Sequence, residues 1–257
     1  MSGKIKFRTL YMLRFLFRVA VFVITVYFFL TGNTDFEIMM GFHFFDRFTF
    51  FHILWICWMF DMIMQLLPVE GYWPLGSRKQ FARYYQKREA FSGQERKILQ
   101  QVTKGGRDTL IIGAAWSLVA FICAVLYSQE IFSNSMMMVI AVFFYVSDTI
   151  CVLFFCPFRL FMKNRCCVTC RIFNWDHLMM FVPFLMLPGF YTWSLLSVAA
   201  AIFIVWEYRF YRYPERFLEE ANENLRCMNC QEHLCGRPNM GVNKILITQK
   251  EEKKDAV

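Results

Sequence analysis

Polar residues withdraw from this chain in blocks instead of alternating with apolar ones. Almost unbroken apolar runs occupy 10–30, 48–67, 109–127 and 136–156. Each is about twenty residues long, the length at which an α-helix crosses the ~30 Å hydrocarbon core of a bilayer. The pattern predicts an all-α polytopic membrane protein with four transmembrane helices. The first run follows Lys4, Lys6 and Arg8, as a signal peptide would. It is too long for one and lacks a small-residue cleavage site, so it is expected to stay as a span.

A fifth apolar stretch breaks the pattern. No charge occurs between Leu178 and Trp206, yet Pro183 and Pro188-Gly189 interrupt the run. Two full crossings need about forty residues, and a single helix of this length would measure about 43 Å. The reading that fits is a re-entrant helical hairpin over 176–206. A short helix over 176–187 enters part-way, the chain turns at Pro188-Gly189, and a longer helix from Phe190 returns. The alternative is one long, kinked fifth span with the C-terminus outside. A turn at membrane depth must be buried in protein, so the hairpin is expected to pack among the spans.

Charge orients these elements. The 69–108 loop carries nine cations, Arg78, Lys79, Arg83, Lys87, Arg88, Arg96, Lys97, Lys104 and Arg107, against Glu70, Glu89, Glu95 and Asp108. The loop between the first two spans carries Asp35, Glu37 and Asp46 against Arg47. The excess of positive charge assigns 69–108 and the N-terminus to the cytosolic side of a bacterial-type inner membrane or a plasma membrane, facing an anionic inner leaflet. Phe81, Tyr84, Tyr85 and Arg88 recur at helical spacing, as in a helix lying on headgroups. Ser92-Gly93-Gln94-Glu95 has a capping-box pattern for a second loop helix, ended by Gly105-Gly106, with Asp108 capping the third span. After the transmembrane domain, 1–206, Pro214 is expected to start an amphipathic helix. That helix leads to a cytosolic Cys knuckle, the pair forming a unit over 207–235, and a flexible tail follows over 236–257.

Composition agrees with this reading: 57% of the residues are hydrophobic, and 31 are Phe. The formal charge of +8 raises nucleic acid as a partner. The cations, however, lie in loops where the positive-inside rule already accounts for them, and no nucleic-acid-binding motif is present. The expected partners are the lipid bilayer and a larger membrane complex or a second copy of the chain, with no nucleic acid.

The strongest chemical signal is cysteine. Cys166-Cys167-Val168-Thr169-Cys170 is answered by Cys227-Met228-Asn229-Cys230-Gln231-Glu232-His233-Leu234-Cys235. A Cys-x-x-Cys turn puts two thiolates on one side of a tight loop, and two such turns supply the four soft ligands of a zinc ion or an iron–sulfur cluster. Cys167, Cys170, Cys227 and Cys230 are the expected ligands of one shared site, with Cys166, Cys235 and His233 as spares. Two separate sites compete, one of Cys227, Cys230, His233 and Cys235, the other of Cys156, Cys166, Cys167 and Cys170. So do plain thiols, a redox pair, or disulfides if the tail is outside. Cys57, Cys123 and Cys151 fall inside spans and read as small packing or lipid-facing residues.

A second signal is charge inside the spans. Arg14 and Arg18 share one face of the first span, and Asp61 and Asp148 lie in the same half of the second and fourth. Opposite charges at one level relieve a cost of roughly 2.5–3.5 kcal/mol per lone charge at mid-helix. Arg18 is therefore expected within reach of Asp61 or Asp148, while Arg14 snorkels. The pairing serves either as a structural ion pair or as part of a proton or cation path. His52 and His177 fall at opposite membrane surfaces, which argues against a bis-His haem. The Met groups 59/62/64, 136–138 and 179–180 are scattered over both faces, which argues against copper transport. His-Glu-x-x-His, Gly-x-Ser-x-Gly and phosphate- or dinucleotide-binding Gly-rich patterns are absent.

Three function classes remain. The first is a structural or complex-forming membrane subunit clasped by a Cys-ligated zinc or iron–sulfur centre. The second is a membrane electron-transfer or redox protein using a cluster or thiols. The third is an ion or small-solute transporter using the interrupted helix with Asp61 and Asp148. No catalytic motif identifies an enzyme.

Overall fold

In the computed structural model, residues 7–67, 79–88, 95–158, 170–219, 221–226 and 229 are described, with backbone alone over 95–104. Among the described residues, six α-helices carry the fold: α1 (Phe7–Leu30), α2 (Phe50–Leu66), α3 (Glu95–Ser128), α4 (Asn134–Leu153), α5 (Asp176–Met180) and α6 (Phe190–Arg212). No β-strand occurs among the described residues. Four helices are long and apolar enough to cross a membrane: Arg8–Leu30, Gly105–Ser128, Asn134–Leu153 and Phe190–Arg212.

That set of four differs from the expected one. α2 has 17 residues, about 25 Å of rise, and is shorter than those four. Both of its ends are fixed by sequence. The Thr49 N–H donates to His52 Nδ1 at 2.9 Å, which starts the helix, and Pro68 follows Leu67 at its end. Since Nδ1 accepts, Nε2 carries the ring proton, and it donates to Phe44 O at 2.7 Å. The fourth long helix is α6, which continues past 206 to Arg212.

α3 departs further from expectation. The loop helix and the third span are one continuous helix of 34 residues that runs through Gly105-Gly106. A glycine costs only about 1 kcal/mol in a helix interior, so two of them without a proline do not end so long a helix. Thr109 Oγ1 also donates to Gly105 O at 2.7 Å within the turn, leaving Asp108 an interior residue instead of a cap.

The bundle alternates direction. Phe28 near the end of α1 meets Phe50 and Phe51 at the start of α2, and Phe15 near the start of α1 meets Phe154 just past α4. α3 joins α4 through a short turn in which Tyr127 OH donates to Asn134 Oδ1, and Ser133 Oγ accepts from the Met136 N–H to cap α4. The N-terminal ends of α1 and α3 and the C-terminal ends of α2, α4 and α6 thus lie at one end of the bundle, here termed the N-terminal end. The core between them is aromatic and thioether-rich: Phe51, Trp58, Met62, Met137, Met138, Phe181, Phe184 and Tyr191 have no accessible surface. Trp58 is its hub, with ring contacts to Tyr145, Phe181, Phe184 and Tyr191.

Between Trp175 and Phe190 the chain is broken helix: α5, then a 3-10 turn over Val182–Met186 that Pro183 starts, then Pro188-Gly189. This limb begins beside Gln65 near the end of α2 and reaches the α1–α2 connection. There the Gly41 N–H donates to Pro188 O and the Phe190 N–H to Gly41 O, both at 2.8 Å. α6 then runs back, with Trp55 Nε1 donating to Ser194 Oγ near its start. The approach at Gly189 is close enough that a Cβ would lie 2.0 Å from Met39 O.

Two predicted helices do not form. Over 79–88 the chain makes 3-10 turns, Ala82–Tyr84 among them, and no α-helix, because this segment pairs with 221–224 instead of coiling on a surface. The Arg88 N–H donates to Ala221 O at 3.1 Å and the Glu223 N–H to Gln86 O at 2.9 Å, while Phe81 turns inward against Trp206. After Pro214 the chain makes two single 3-10 turns, Pro214–Arg216 and Glu223–Leu225, instead of an amphipathic helix. Asn222, fully buried between them, donates through Nδ2 to Lys79 O and Arg216 O and so offers the backbone an alternative to helix.

The Gly189 contact yields a direct test. Gly189→Ala forces backbone apart and is expected to cost about 1–3 kcal/mol, seen as a lower midpoint of thermal unfolding in detergent. An unchanged midpoint would mean that the loop at Met39 yields to the methyl.

Candidate functional site

An apolar helix accepts an arginine only if the guanidinium finds acceptors, and α1 supplies one that does. Arg18 Nη1 donates to Asp148 Oδ2 at 2.5 Å and to Tyr145 O at 2.8 Å, both on α4, and Nη2 lies 4.0 Å from Asp61 Oδ2 on α2. Its guanidinium also covers the Tyr145 ring at 4.0 Å, and the Tyr145 hydroxyl points to Asp61 Oδ2 at 3.5 Å. The side chains of Arg18, Asp61 and Asp148 are only 10%, 19% and 23% exposed. Three helices are thereby held in register by one bridging cation. Of the four charged residues singled out in the sequence, the structure brings Arg18, Asp61 and Asp148 into this bridge. Arg14, one turn away, lines the same cavity and lies over the Tyr11 ring.

The broken limb adds what the sequence did not reveal. Asp176 and His177 start α5 beside this group. Asp176 Oδ1 accepts the His177 backbone N–H at 2.7 Å and lies 2.8 Å from His177 Nδ1, while Gln65 Nε2 approaches it at 3.4 Å. Oδ1 of a carboxylate only accepts, so Nδ1 carries a proton. The five ionisable groups border a cavity of about 30 Å³ that Gln65 and Thr149 also line. That is room for a water molecule. Gln65 is buried, and its Oε1 has no hydrogen-bond partner among the described residues. The sequence places Asp176 only at the start of the hairpin and His177 at a membrane surface, and neither is singled out with the buried charges. The available signal was an acid and a base side by side, immediately before an uncharged run.

Chemically the arrangement is a polar pocket inside an apolar bundle, lined by three carboxylates from α2, α4 and α5, by the guanidiniums of Arg14 and Arg18, and by one imidazole. It can hold a cation or exchange a proton. A second cavity of about 40 Å³ at the opposite end, lined by Asp35, Glu37, His43, Asp46, Arg47 and Thr49, is of another kind. Its ion pairs are largely exposed, as in His43–Asp46 at 60% and 64%, and such pairs contribute little.

Among the expected metal ligands, Cys170 is buried beside Ile112, Ile172 and Met179. Cys166, Cys167, Cys227, Cys230, His233 and Cys235 lie outside the described residues, and no group of three or more potential ligands forms among the described ones. The chain that borders both Cys segments is nevertheless held tightly at the N-terminal end. Arg171 makes a two-pronged ion pair with Glu207 of α6, to which Trp175 Nε1 also donates at 2.8 Å. The Arg171 guanidinium lies 4.0 Å from the centre of the Phe210 ring, and Phe210 in turn packs on Phe217. Burial opposes the charge of Arg171, but Glu207 and the Tyr211 hydroxyl more than compensate and raise its already high pKa. Of the remaining thiols, Cys123 and Cys156 are buried, and Cys57 and Cys151 are half-buried in α2 and α4.

No protein-family model, curated protein or solved structure matches the chain.

The bridge predicts non-additivity. Asp148→Ala takes the closest carboxylate from Arg18 and is expected to cost up to about 3–5 kcal/mol, whereas the double variant Asp148→Ala/Arg18→Leu loses less than the sum of the two single changes, because the 2.5 Å pair is removed as a unit and Asp61 loses only a contact at 4.0 Å. Thermal unfolding in detergent measures both, and additive losses would rule the bridge out.

Proposed function

We propose that this chain is a polytopic helical membrane protein whose pocket at Arg18, Asp61, Asp148, Asp176 and His177 is a cation site, and that it moves an ion or small solute across a bacterial-type inner membrane or a plasma membrane. The observation that carries this reading is the convergence of three carboxylates on a polar cavity within an otherwise apolar bundle. Ionisable groups are expensive at membrane depth and mark ion or proton paths there. The cavity also borders a broken helix, the element from which membrane transporters build their binding sites. Outward-facing apolar residues such as Leu13, Leu16 and Phe17 on α1 and Leu118, Phe121 and Ile122 on α3 suit lipid contact. The positive-inside rule then assigns the N-terminal end to the cytosol.

Purified protein in liposomes is expected to support ion-dependent flux that Asp148→Asn abolishes. Flux equal to that of empty liposomes in the wild type would remove the transport reading, and release of the chain from membranes by alkaline carbonate would remove the membrane assignment itself.

A second reading is favoured by the Arg171–Glu207 clamp and the pairing of 79–88 with 221–224, which gather the borders of both Cys segments at one end. In that reading Cys167, Cys170, Cys227 and Cys230, with Cys166, Cys235 and His233 nearby in sequence, hold a zinc ion or an iron–sulfur cluster. Zinc makes the centre a clasp in a complex-forming subunit, and a cluster makes it an electron carrier. Anaerobically purified protein is then expected to carry one zinc ion or one cluster per chain, lost in Cys167→Ser/Cys227→Ser. Metal-free wild-type protein would dismiss it.

A further inference from the structure

The pocket does not balance its own charge. Arg14 and Arg18 bring two permanent positive charges from α1, since a guanidinium stays protonated at any pH a protein survives. Asp61, Asp148 and Asp176 bring three carboxylates, from α2, α4 and α5. The other groups that face the cavity add nothing to the sum at neutral pH. Tyr11 and Tyr145 are phenols, Gln65 and Thr149 are neutral, and the nearby thiols of Cys57 and Cys151 ordinarily stay protonated at this pH. α6 contributes Glu207, but Arg171 already neutralises it. α3 presents Trp116, whose Nε1 donates to Met179 O. Among the described residues one negative charge is left over, in surroundings that penalise any net charge.

The surplus falls on Asp176. Asp148 has Arg18 at 2.5 Å, and Asp61 has the same guanidinium at 4.0 Å and the Tyr145 hydroxyl at 3.5 Å. Asp176 has no guanidinium in salt-bridge reach among the described residues, and its ionisable partner is His177, 2.8 Å away and 10% exposed. We infer that the pocket holds one exchangeable proton at neutral pH, carried as the His177 imidazolium against Asp176, and that this proton is the cation the site binds. The inference rests on the cation-site reading above and names its ligand. Proton binding here is balanced without any other reactant: the imidazole lone pair at Nε2 takes a proton from water, and releases it to water when the pocket gains a positive charge elsewhere.

The test uses the full chain in nanodiscs, with ¹⁵N-labelled histidine read by NMR and protonated carboxyl groups read by infrared spectroscopy. The wild type is expected to show His177 as imidazolium at pH 7, in choline chloride and sodium chloride alike, with no protonated carboxyl. Asp176→Asn removes the surplus negative charge, so the His177 titration should fall by about 1–3 pH units and leave the ring neutral at pH 7. His177→Gln should make a protonated carboxyl signal appear, because the proton has to go elsewhere. Arg14→Gln leaves the dyad intact and should also produce that signal, which keeps the test decisive if a dyad variant fails to fold. A neutral His177 in the wild type overturns the proposal, and so does a folded His177→Gln or Arg14→Gln without a carboxyl signal. Loss of the imidazolium on replacing choline with sodium also overturns it, since the occupant would then be a metal cation and only the broader cation-site reading would survive. A proton inventory that holds in protein showing no flux would uphold this inference and sink transport instead.

Discussion

The cost of an uncompensated charge in an apolar bundle is the constraint on which this structure turns. Arg18 has to be met by oxygen, and the oxygens that meet it sit on α2 and α4. The requirement fixes three things together: which faces of α1 and α4 meet, how far α2 slides along them, and where the polar cavity opens. Aromatic packing around Trp58 fills the volume above this level, but aromatic surfaces slide and repack at modest cost, and a guanidinium between carboxylates does not. The charged residues thus select one helix arrangement out of several that the apolar residues would accept.

How far the sequence could be read follows from the same division. The apolar runs within α1, α3 and α4 were legible as long helices because length and composition alone define them, whereas α6 was expected as the returning limb of a hairpin and not among the four long helices. The meeting of Arg18 with Asp148 and Asp61 was legible because opposite charges at one depth have few other partners. The loop region was misread where local periodicity competed with tertiary contacts. Phe81, Tyr84 and Tyr85 have helical spacing, but Phe81 is drawn to Trp206, and the backbone around it pairs with the chain on either side of Asn222. Gly105-Gly106 looked like a stop and was not, because nothing sterically forbids glycine in a helix and the turns on either side continue the ladder. Asp176 and His177 escaped notice because their depth depends on a break thirteen residues further along, and hydropathy alone does not say how far a broken limb reaches.

The two ends of the molecule are built on different principles. At the N-terminal end, buried polar side chains are paired with one another or with backbone: Arg171 with Glu207, Asn174 with Gln80, Asn222 with the backbone of two neighbouring segments. At the opposite end the ion pairs are exposed, and rigidity comes from backbone contact and aromatic rings around Phe44. A pocket that has to hold charge sits at the end where charges are already organised.

The backbone junction at Gly189 has a mechanical consequence. The limb from Asp176 to Pro188 contains little regular helix to absorb strain, and its far tip exchanges two hydrogen bonds with Gly41 while Met39 leaves no room for even a methyl group. Such a limb behaves as a short strut pinned at both ends. If Asp176 shifts when the charge of the pocket changes, the displacement travels along the strut to the α1–α2 connection, on the other side of the aromatic core. The acidic rim formed by Asp35, Glu37 and Asp46 would then register events at His177 through a limb, Leu178 to Pro188, that itself carries no polar side chain.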